Sequence, residues 1–207
     1  MIESNVVAKI LKKKGFRFTH SNQTSSINCF NKIKSKDIIK KNKILTPQHK
    51  LVKIKDINPK YMEKISIKFK KFVLKPVSSG SSYGLKVIKS KKDLSFFCKA
   101  IPKFKKNFDY NEDFLIEKYI SGKELTVSVL ENESKIKPLE VTEIVSLNPT
   151  YDYQAKYTKG FSKHYIPARI SKKNYKKCLN LALKIHKIFK CKTLSRVDFI
   201  LDSKQNK

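Results

Sequence analysis

The stretch Phe72 to Gly84, FVLKPVSSGSSYG, constrains this chain more than any other part of it. Phe72, Val73 and Leu74 make a short apolar run with strand character that ends in the cation of Lys75, and a loop of serines and glycines follows. Gly80 and Gly84 are expected to give that loop backbone angles that turn successive N–H groups toward one point. Ser78, Ser79, Ser81 and Ser82 add hydroxyl donors. A nest of this kind suits a phosphate. Only five glycines occur in 207 residues, so two of them so close together are not filler. The loop matches neither G-x-x-x-x-G-K-[ST] nor G-x-G-x-x-G, and taken alone it reads equally well as a surface turn.

At 207 residues, with 13 phenylalanines, the chain can hold one medium domain or two small ones, each with a real core. A net charge of +30 invites a nucleic-acid reading. Two details weigh against it. Arginine, which base-edge and bidentate phosphate recognition favours, occurs only as Arg17, Arg169 and Arg196. The lysines run through every segment in company with Asn and Ile, as an A/T-rich genome would give, so most are expected on solvated faces and no specific nucleic-acid partner is expected. The cysteines, Cys29, Cys98, Cys178 and Cys191, form no CxxC pair. They read as small core residues in a reducing compartment, Cys98 and Cys178 falling on apolar helical faces, and not as a disulfide frame or a zinc site. No apolar leader precedes the first lysine run, and no apolar run approaches the ~20 residues of a membrane span. A soluble, cytoplasmic protein without a membrane partner is the expectation.

Along the chain, residues 4–14 predict a helix stopped by Gly15, and Phe16 to Thr19 a brief strand. Ser25 or Ser26 is placed to cap one helix running to about Lys43, with Pro47 beyond it. Strands are expected at 49–53, 72–75 and 85–89, and helices at 57–70 and 91–101. Two more strands follow, Phe114 to Tyr119 and Glu124 to Glu131, the second alternating Leu125, Val127 and Val129 against Thr126 and Ser128. Residues 138–146 continue as strand, and 146–161 read as a loop rich in Tyr and Lys. Tyr175, Cys178, Leu179, Ala182, Ile185, His186 and Phe189 recur at helical spacing as one apolar stripe, on which His186 reads as a packed histidine. Ser195 to Leu201 alternates as a strand, placing Arg196 and Asp198 on one face.

In order and spacing, several pieces resemble the D-alanine–D-alanine ligases of the ATP-grasp superfamily. They are Lys75 with its loop, Glu117-Lys118-Tyr119-Ile120, Gly122-Lys123-Glu124-Leu125-Thr126, YDYQAKY (Tyr151 to Tyr157), Pro167-Ala168, and Ser195-Arg196-Val197-Asp198. The resemblance runs from about Glu3 to Asp202. It implies an α+β ATP-grasp fold in which two α/β lobes enclose a nucleotide cleft. Residues 1–26 would be the remnant of an N-terminal domain, 27–120 the small lobe with its glycine-rich lid, and 121–207 an incomplete large lobe. It further implies that Lys75 and Lys32 bind ATP phosphates under a lid carrying Ser81 and Ser82. Glu117 to Ile120 would form the adenine hinge through backbone groups of Lys118 and Ile120, beside Tyr119, and Glu124 would accept from the ribose hydroxyls. Lys156 would reach the γ-phosphate, and Tyr157 with Ser81 would close the site over the first amino acid, the tyrosine favouring a dipeptide product. Arg196 would stabilise the transferring phosphoryl group and the tetrahedral intermediate, and Asp198 would ligate Mg²⁺, or Mn²⁺ in its place. ATP and D-alanine are the implied substrates and a homodimer the implied assembly.

The chemistry asks for these residue types. The charge of ATP must be neutralised before a carboxylate can approach the γ-phosphorus, which lysines, amide nests and a divalent cation accomplish. The sequence also departs from the family. Ile2-Glu3-Ser4-Asn5 stands where the family has G-E-D-G, Tyr83 stands in the lid where a smaller residue is usual, and no E-x-N-x-x-P-G follows Asp202. An impaired fragment is therefore the expectation. The alternatives are another ATP-grasp carboxylate–amine ligase, a lysine-rich nucleic-acid binder, and a remnant that binds ATP without catalysis.

Overall fold

In a computed structural model, which describes residues 4–132, 135–146 and 162–203, two antiparallel four-stranded sheets follow one another along the chain. The first has the order β1-β4-β2-β3, from β1 (His49–Lys53), β2 (Phe72–Pro76), β3 (Lys86–Ile88) and β4 (Asp113–Lys118). The second has the order β7-β6-β5-β8, from β5 (Gly122–Glu131), β6 (Ile136–Ser146), β7 (Ser162–Tyr165) and β8 (Leu194–Asp202). Two mixed α/β lobes result, as the ATP-grasp expectation requires.

One face of the first sheet carries α4 (Pro59–Phe69) and α5 (Lys91–Lys105). Asn58 caps α4 by accepting from the Tyr61 N–H, with Pro59 in the first turn. Ser90 and Asp93 form a capping box on α5. Alternation in β2 and β4 sends Phe72, Leu74, Phe114 and Ile116 into that core, each buried side chain contributing about 1.5–3 kcal/mol. The same alternation sends Val73, Lys75 and Glu117 to the opposite face, and that face becomes the wall of the site.

The second sheet is covered on one face by α6 (Lys172–Ile188), whose stripe of Tyr175, Cys178, Leu179 and Ala182 packs on Leu125, Val127, Val129 and Val141. His186 lies on the same stripe, 1% exposed. Its Nδ1 is 2.8 Å from Ser195 Oγ and its Nε2 is 3.1 Å from a Glu131 carboxylate oxygen, so it is a packed histidine with both nitrogens engaged. The other face, carrying Glu124, Thr126, Arg196, Asp198 and Ile200, stays open.

Only Tyr119 to Ser121 separate the two sheets. This strap is tied at both ends: the Lys118 N–H donates to Gln48 O (2.8 Å), the Tyr119 N–H to Lys71 O (3.0 Å) and the Ser203 N–H to Ser121 O (3.0 Å). Gly122 follows because β8 crowds it; a Cβ there would lie 2.0 Å from Leu201 O.

Three expectations need correction. Phe16 to Thr19 is not a strand; among the described residues no strand pairs with it, and Phe16 is 61% exposed. The single helix expected from Ser25 to Lys43 is two, α2 (Gln23–Phe30) and α3 (Lys32–Lys41), following α1 (Ser4–Lys13). Asn31 makes the break by accepting from the Ile33 and Lys34 N–H groups, and Asn22, not a serine, caps α2. In the serine–glycine loop Gly84 has the left-handed backbone expected (φ +69°), but Gly80 does not. Ser81 (φ 51°) and Ser82 (φ 58°) take it instead. Gly84 is required twice over, since a Cβ would also lie 2.6 Å from the Phe108 ring. Tyr83 fits because its ring packs on Phe108 and its hydroxyl donates to Asn107 O, behind the loop.

Candidate active site

A cavity of about 510 Å³ lies between the lobes, against the strap. Its first wall is aliphatic, Val73, Leu85 and Val87 from the β2–β3 hairpin, and its second is Ile144 and Ile200 from the second sheet. Lys75, Glu117, Lys118, Tyr119, Ile120 and Glu124, six residues predicted from the sequence, all line it. Lys89 also lines it, with its ammonium 4.8 Å from the Tyr119 ring centre.

Strand register explains the charge arrangement. Val73 lies opposite Glu117 and Lys75 opposite Leu115, so Lys75 and Glu117 are diagonal neighbours on one face. Lys75 Nζ sits 2.5 Å from Glu117 Oε2, and Lys36 Nζ, from α3, sits 2.7 Å from Oε1. Burial alone would raise the Glu117 pKa, but the charges of Lys75 and Lys36 outweigh it and hold the carboxyl below its ordinary range. Lys36 is 5% exposed and also donates to Thr46 Oγ1 and Pro47 O, so all three of its protons are used. One turn earlier, Lys32 donates to Ser79 O (2.7 Å) and Val77 O (3.3 Å), fixing α3 against the loop. Its pKa falls to about 8, first because of burial and then because of the nearby Lys75 charge, with Glu117 offsetting part. Three lysines thus surround one carboxylate. The local excess is positive.

The second sheet contributes a carboxylate the sequence reading missed. Glu143 on β6 is 3% exposed and takes a two-pronged contact from Arg169 (3.0 and 3.1 Å), plus Lys123 Nζ (3.1 Å) and the Arg169 N–H. Arg169, the largest cause, and Lys123 lower its pKa to about 2 against the effect of burial. Glu143, at the edge of the cavity, ties β6 to Lys123 and Arg169 and stays ionised. Nothing marks it in the sequence, since Glu143 and Arg169 are 26 residues apart.

Other expected residues lie elsewhere. Ser81 and Ser82 belong to the loop that Lys32 holds from α3, and none of the three lines the cavity. Arg196 and Asp198 stand on the open face of β8, four and two residues before Ile200, so Arg196 is ~13 Å along the strand from the cavity wall. They contact each other, Arg196 Nε to Oδ1 at 3.0 Å and Nη2 to Oδ2 at 3.2 Å, and the Thr126 hydroxyl donates to Oδ1 at 2.7 Å. With both Asp198 oxygens engaged, and no group of three acid, His or Cys residues among the described ones able to hold an ion, the described residues do not make up a metal site. Lys156 and Tyr157 lie outside the described residues.

Residues 33–207 match the family model described as "D-ala D-ala ligase C-terminus". The chain belongs to the D-alanine–D-alanine ligase family. Among relatives of the ligase family, it is 36% identical over 205 residues to the D-alanine–D-alanine ligase of Wolbachia pipientis wMel, covering 99% of this chain and 60% of that one. It is 39% identical over 192 residues to the Rickettsia typhi enzyme of that name, covering 92% and 54%. Among solved structures, the Bacillus anthracis D-alanine–D-alanine ligase complexed with ATP superposes with a TM-score of 0.68 at 25% identity, covering 97% of this chain and 61% of that one. The chain thus spans about 54–61% of the length of these ligases. No helix among the described residues is long and apolar enough to cross a membrane.

Proposed function

We propose that the cleft binds ATP and serves an ATP-dependent carboxylate–amine ligase that joins two D-alanine molecules. The observation that carries this is the cavity in which aliphatic walls, the strap backbone and an excess of lysine charge meet. A purine fits between Val73 and Val87 on one side and Ile144 and Ile200 on the other. The Lys118 N–H is already committed to Gln48, so the strap offers the base the Lys118 carbonyl as acceptor and the Ile120 N–H as donor. In this reading Glu124, at the start of β5, accepts from the ribose hydroxyls, and Lys75 and Lys32 meet the phosphates, with Ser81 and Ser82 in the loop that Lys32 holds. A Bacillus anthracis ligase of this fold is known with ATP, which supports the nucleotide as ligand.

In the proposed reaction a D-alanine carboxylate oxygen attacks the γ-phosphorus and ADP leaves. The amine of a second D-alanine then attacks the acyl carbon, loses a proton, and phosphate departs. Arg196 is the cation assigned to the developing oxyanion, where a fixed positive charge contributes most in a water-poor site. To serve there it must leave Asp198, which neutralises it in this arrangement. Lys156 and Tyr157 are assigned to the γ-phosphate and to closure over the first amino acid. Magnesium is expected from the resemblance. It finds one carboxylate here, Asp198, and not a coordination shell, so the reading routes no step through the ion.

Coupled ADP release by the 207-residue chain tests this reading. It expects release that requires both ATP and D-alanine. Binding of ATP with no D-alanine-dependent turnover reduces the function to nucleotide binding, and absence of ATP binding contradicts it.

Lys32 gives the cleft a pH signature. With a folded pKa near 8 against an ordinary 10.5, the unfolded chain holds the extra proton between those values. This group's cost to stability is therefore full below pH 8 and is relieved as pH rises toward 10.5. A bound polyphosphate reverses the shift. Titrations at pH 8 in buffers of different ionisation enthalpy are expected to show uptake of about half a proton per ATP, and affinity is expected to fall as pH rises through 8. The uptake should vanish in Lys32→Met.

A further inference from the structure

We infer that Cys29 and Cys191 form a reversible disulfide, a modification site tying the α2–α3 segment to the turn between α6 and β8. The two positions are 162 residues apart in the chain, yet their Sγ atoms lie 3.9 Å apart and both thiols are free. The approach is built, not incidental. Ser25 Oγ donates to Lys190 O (2.8 Å) and the Lys192 N–H donates to Ser21 Oγ (3.0 Å), so α2 is pinned on both sides of Cys191. The Cys191 N–H donates to His186 O (3.0 Å), anchoring that sulfur to the end of α6. A disulfide needs ~2 Å between the sulfurs. The remaining movement falls to Cys29, the exposed partner near the end of a short helix, while Cys191 is 7% exposed.

The pair is also chemically unequal. Either thiol can donate in this contact, but only the Cys191 sulfur also faces the Ser21 hydroxyl; with Cys29 as the donor, the Cys191 pKa falls to about 7, opposed by burial and by Glu131. Cys29 is held up, as a thiol facing a neighbouring thiolate must be. Cys191 is then the nucleophile toward a hydroperoxide. Its thiolate attacks the O–O bond, forming an S–O bond and releasing hydroxide, which is protonated to water. Once Cys191 is a sulfenic acid its negative charge is gone, and Cys29 loses the largest cause of its raised pKa, burial alone remaining. The Cys29 sulfur attacks the Cys191 sulfur, the S–O bond breaks, and the departing hydroxide takes the Cys29 proton. Two thiols and one hydroperoxide give one disulfide and two waters (or a water and an alcohol), and a dithiol restores the starting state.

The link would join two supports of the cleft. Cys29 precedes Lys32, which holds the loop at Ser79, and Cys191 opens the segment leading to Arg196. The inference stands on the sulfur geometry and not on the ligase reading. Cys98 and Cys178 are packed against the first and second cores and serve as internal controls.

Hydrogen peroxide added to the reduced 207-residue chain at pH 7, followed by thiol counting and peptide mapping, tests it. The expected result is loss of two thiols, one cross-linked peptide pair joining Cys29 to Cys191, and full reversal by dithiothreitol. Cys191 should react about tenfold faster than Cys178, whose thiol is pushed up by burial. In Cys29→Ser, an exposed and conservative change, oxidation should stop at a Cys191 sulfenic acid trapped by dimedone. Reaction first at Cys98 or Cys178, or over-oxidation of Cys29 and Cys191 in the wild type without a cross-link, would overturn the inference.

Discussion

Replacing Lys75 by alanine is expected to weaken ATP binding by roughly 30-fold, the equivalent of about 2 kcal/mol for a charge-assisted contact to phosphate. Two effects add in the same direction. One of the ammonium groups lining the cavity disappears, and Glu117, until then shared between Lys75 and Lys36, turns an under-compensated carboxylate toward the phosphates. Folding should change little, because the Lys75 side chain is partly solvated and Lys36 still holds Glu117. Calorimetric titration of wild type and variant gives the affinities, and urea unfolding gives the stability. Unchanged affinity would mean that Lys75 is not a phosphate lysine.

Glu117→Gln should show the opposite profile, a large loss of stability. It keeps shape and one acceptor but leaves Lys36, whose side chain is 6% exposed, without its counter-charge. Removing one partner of a buried pair costs about 3–5 kcal/mol, enough to lower Tm by roughly 10 °C in a chain of this size. Adding Lys36→Met should recover about half of that loss, since a buried apolar side chain replaces an unpaired ion. A Glu117→Gln protein as stable as the wild type would show that the pair contributes nothing net. Failure of the second change to restore any stability would place the cost elsewhere than in the stranded ammonium.

What could be read from the sequence followed from local rules. Strand alternation around Val127 and helix periodicity through Ala182 are set by chain spacing, and β5 and α6 follow from them. The six predicted residues that line the cavity fall near strand ends and on the strap, where order along the chain nearly dictates position in space. The break at Asn31 escaped because Asn inside a helical run reads as tolerated, although its side chain caps the following turn instead. In the serine–glycine loop composition pointed to Gly80, but tertiary contacts placed the left-handed angles on Ser81 and Ser82. Lys36 was one lysine among many, and only its docking against Thr46 and Glu117 distinguishes it. Glu143 with Arg169, and Cys29 with Cys191, depend on contacts between distant parts of the chain. No spacing rule announces such pairs.

The proposed nucleotide site lies between the two sheets, against the strap. Amide chemical-shift mapping of the isotopically labelled 207-residue chain during ATP addition tests it most directly. The largest changes are expected at Val73 to Lys75, Lys118 to Ile120, Lys123 to Glu124 and Ile144 to Ser146, with the α6 lysines from Lys173 to Lys184 unmoved. Changes gathered on that lysine face, with the strap amides still, would show that ATP is held by surface charge and that the cleft is not its site.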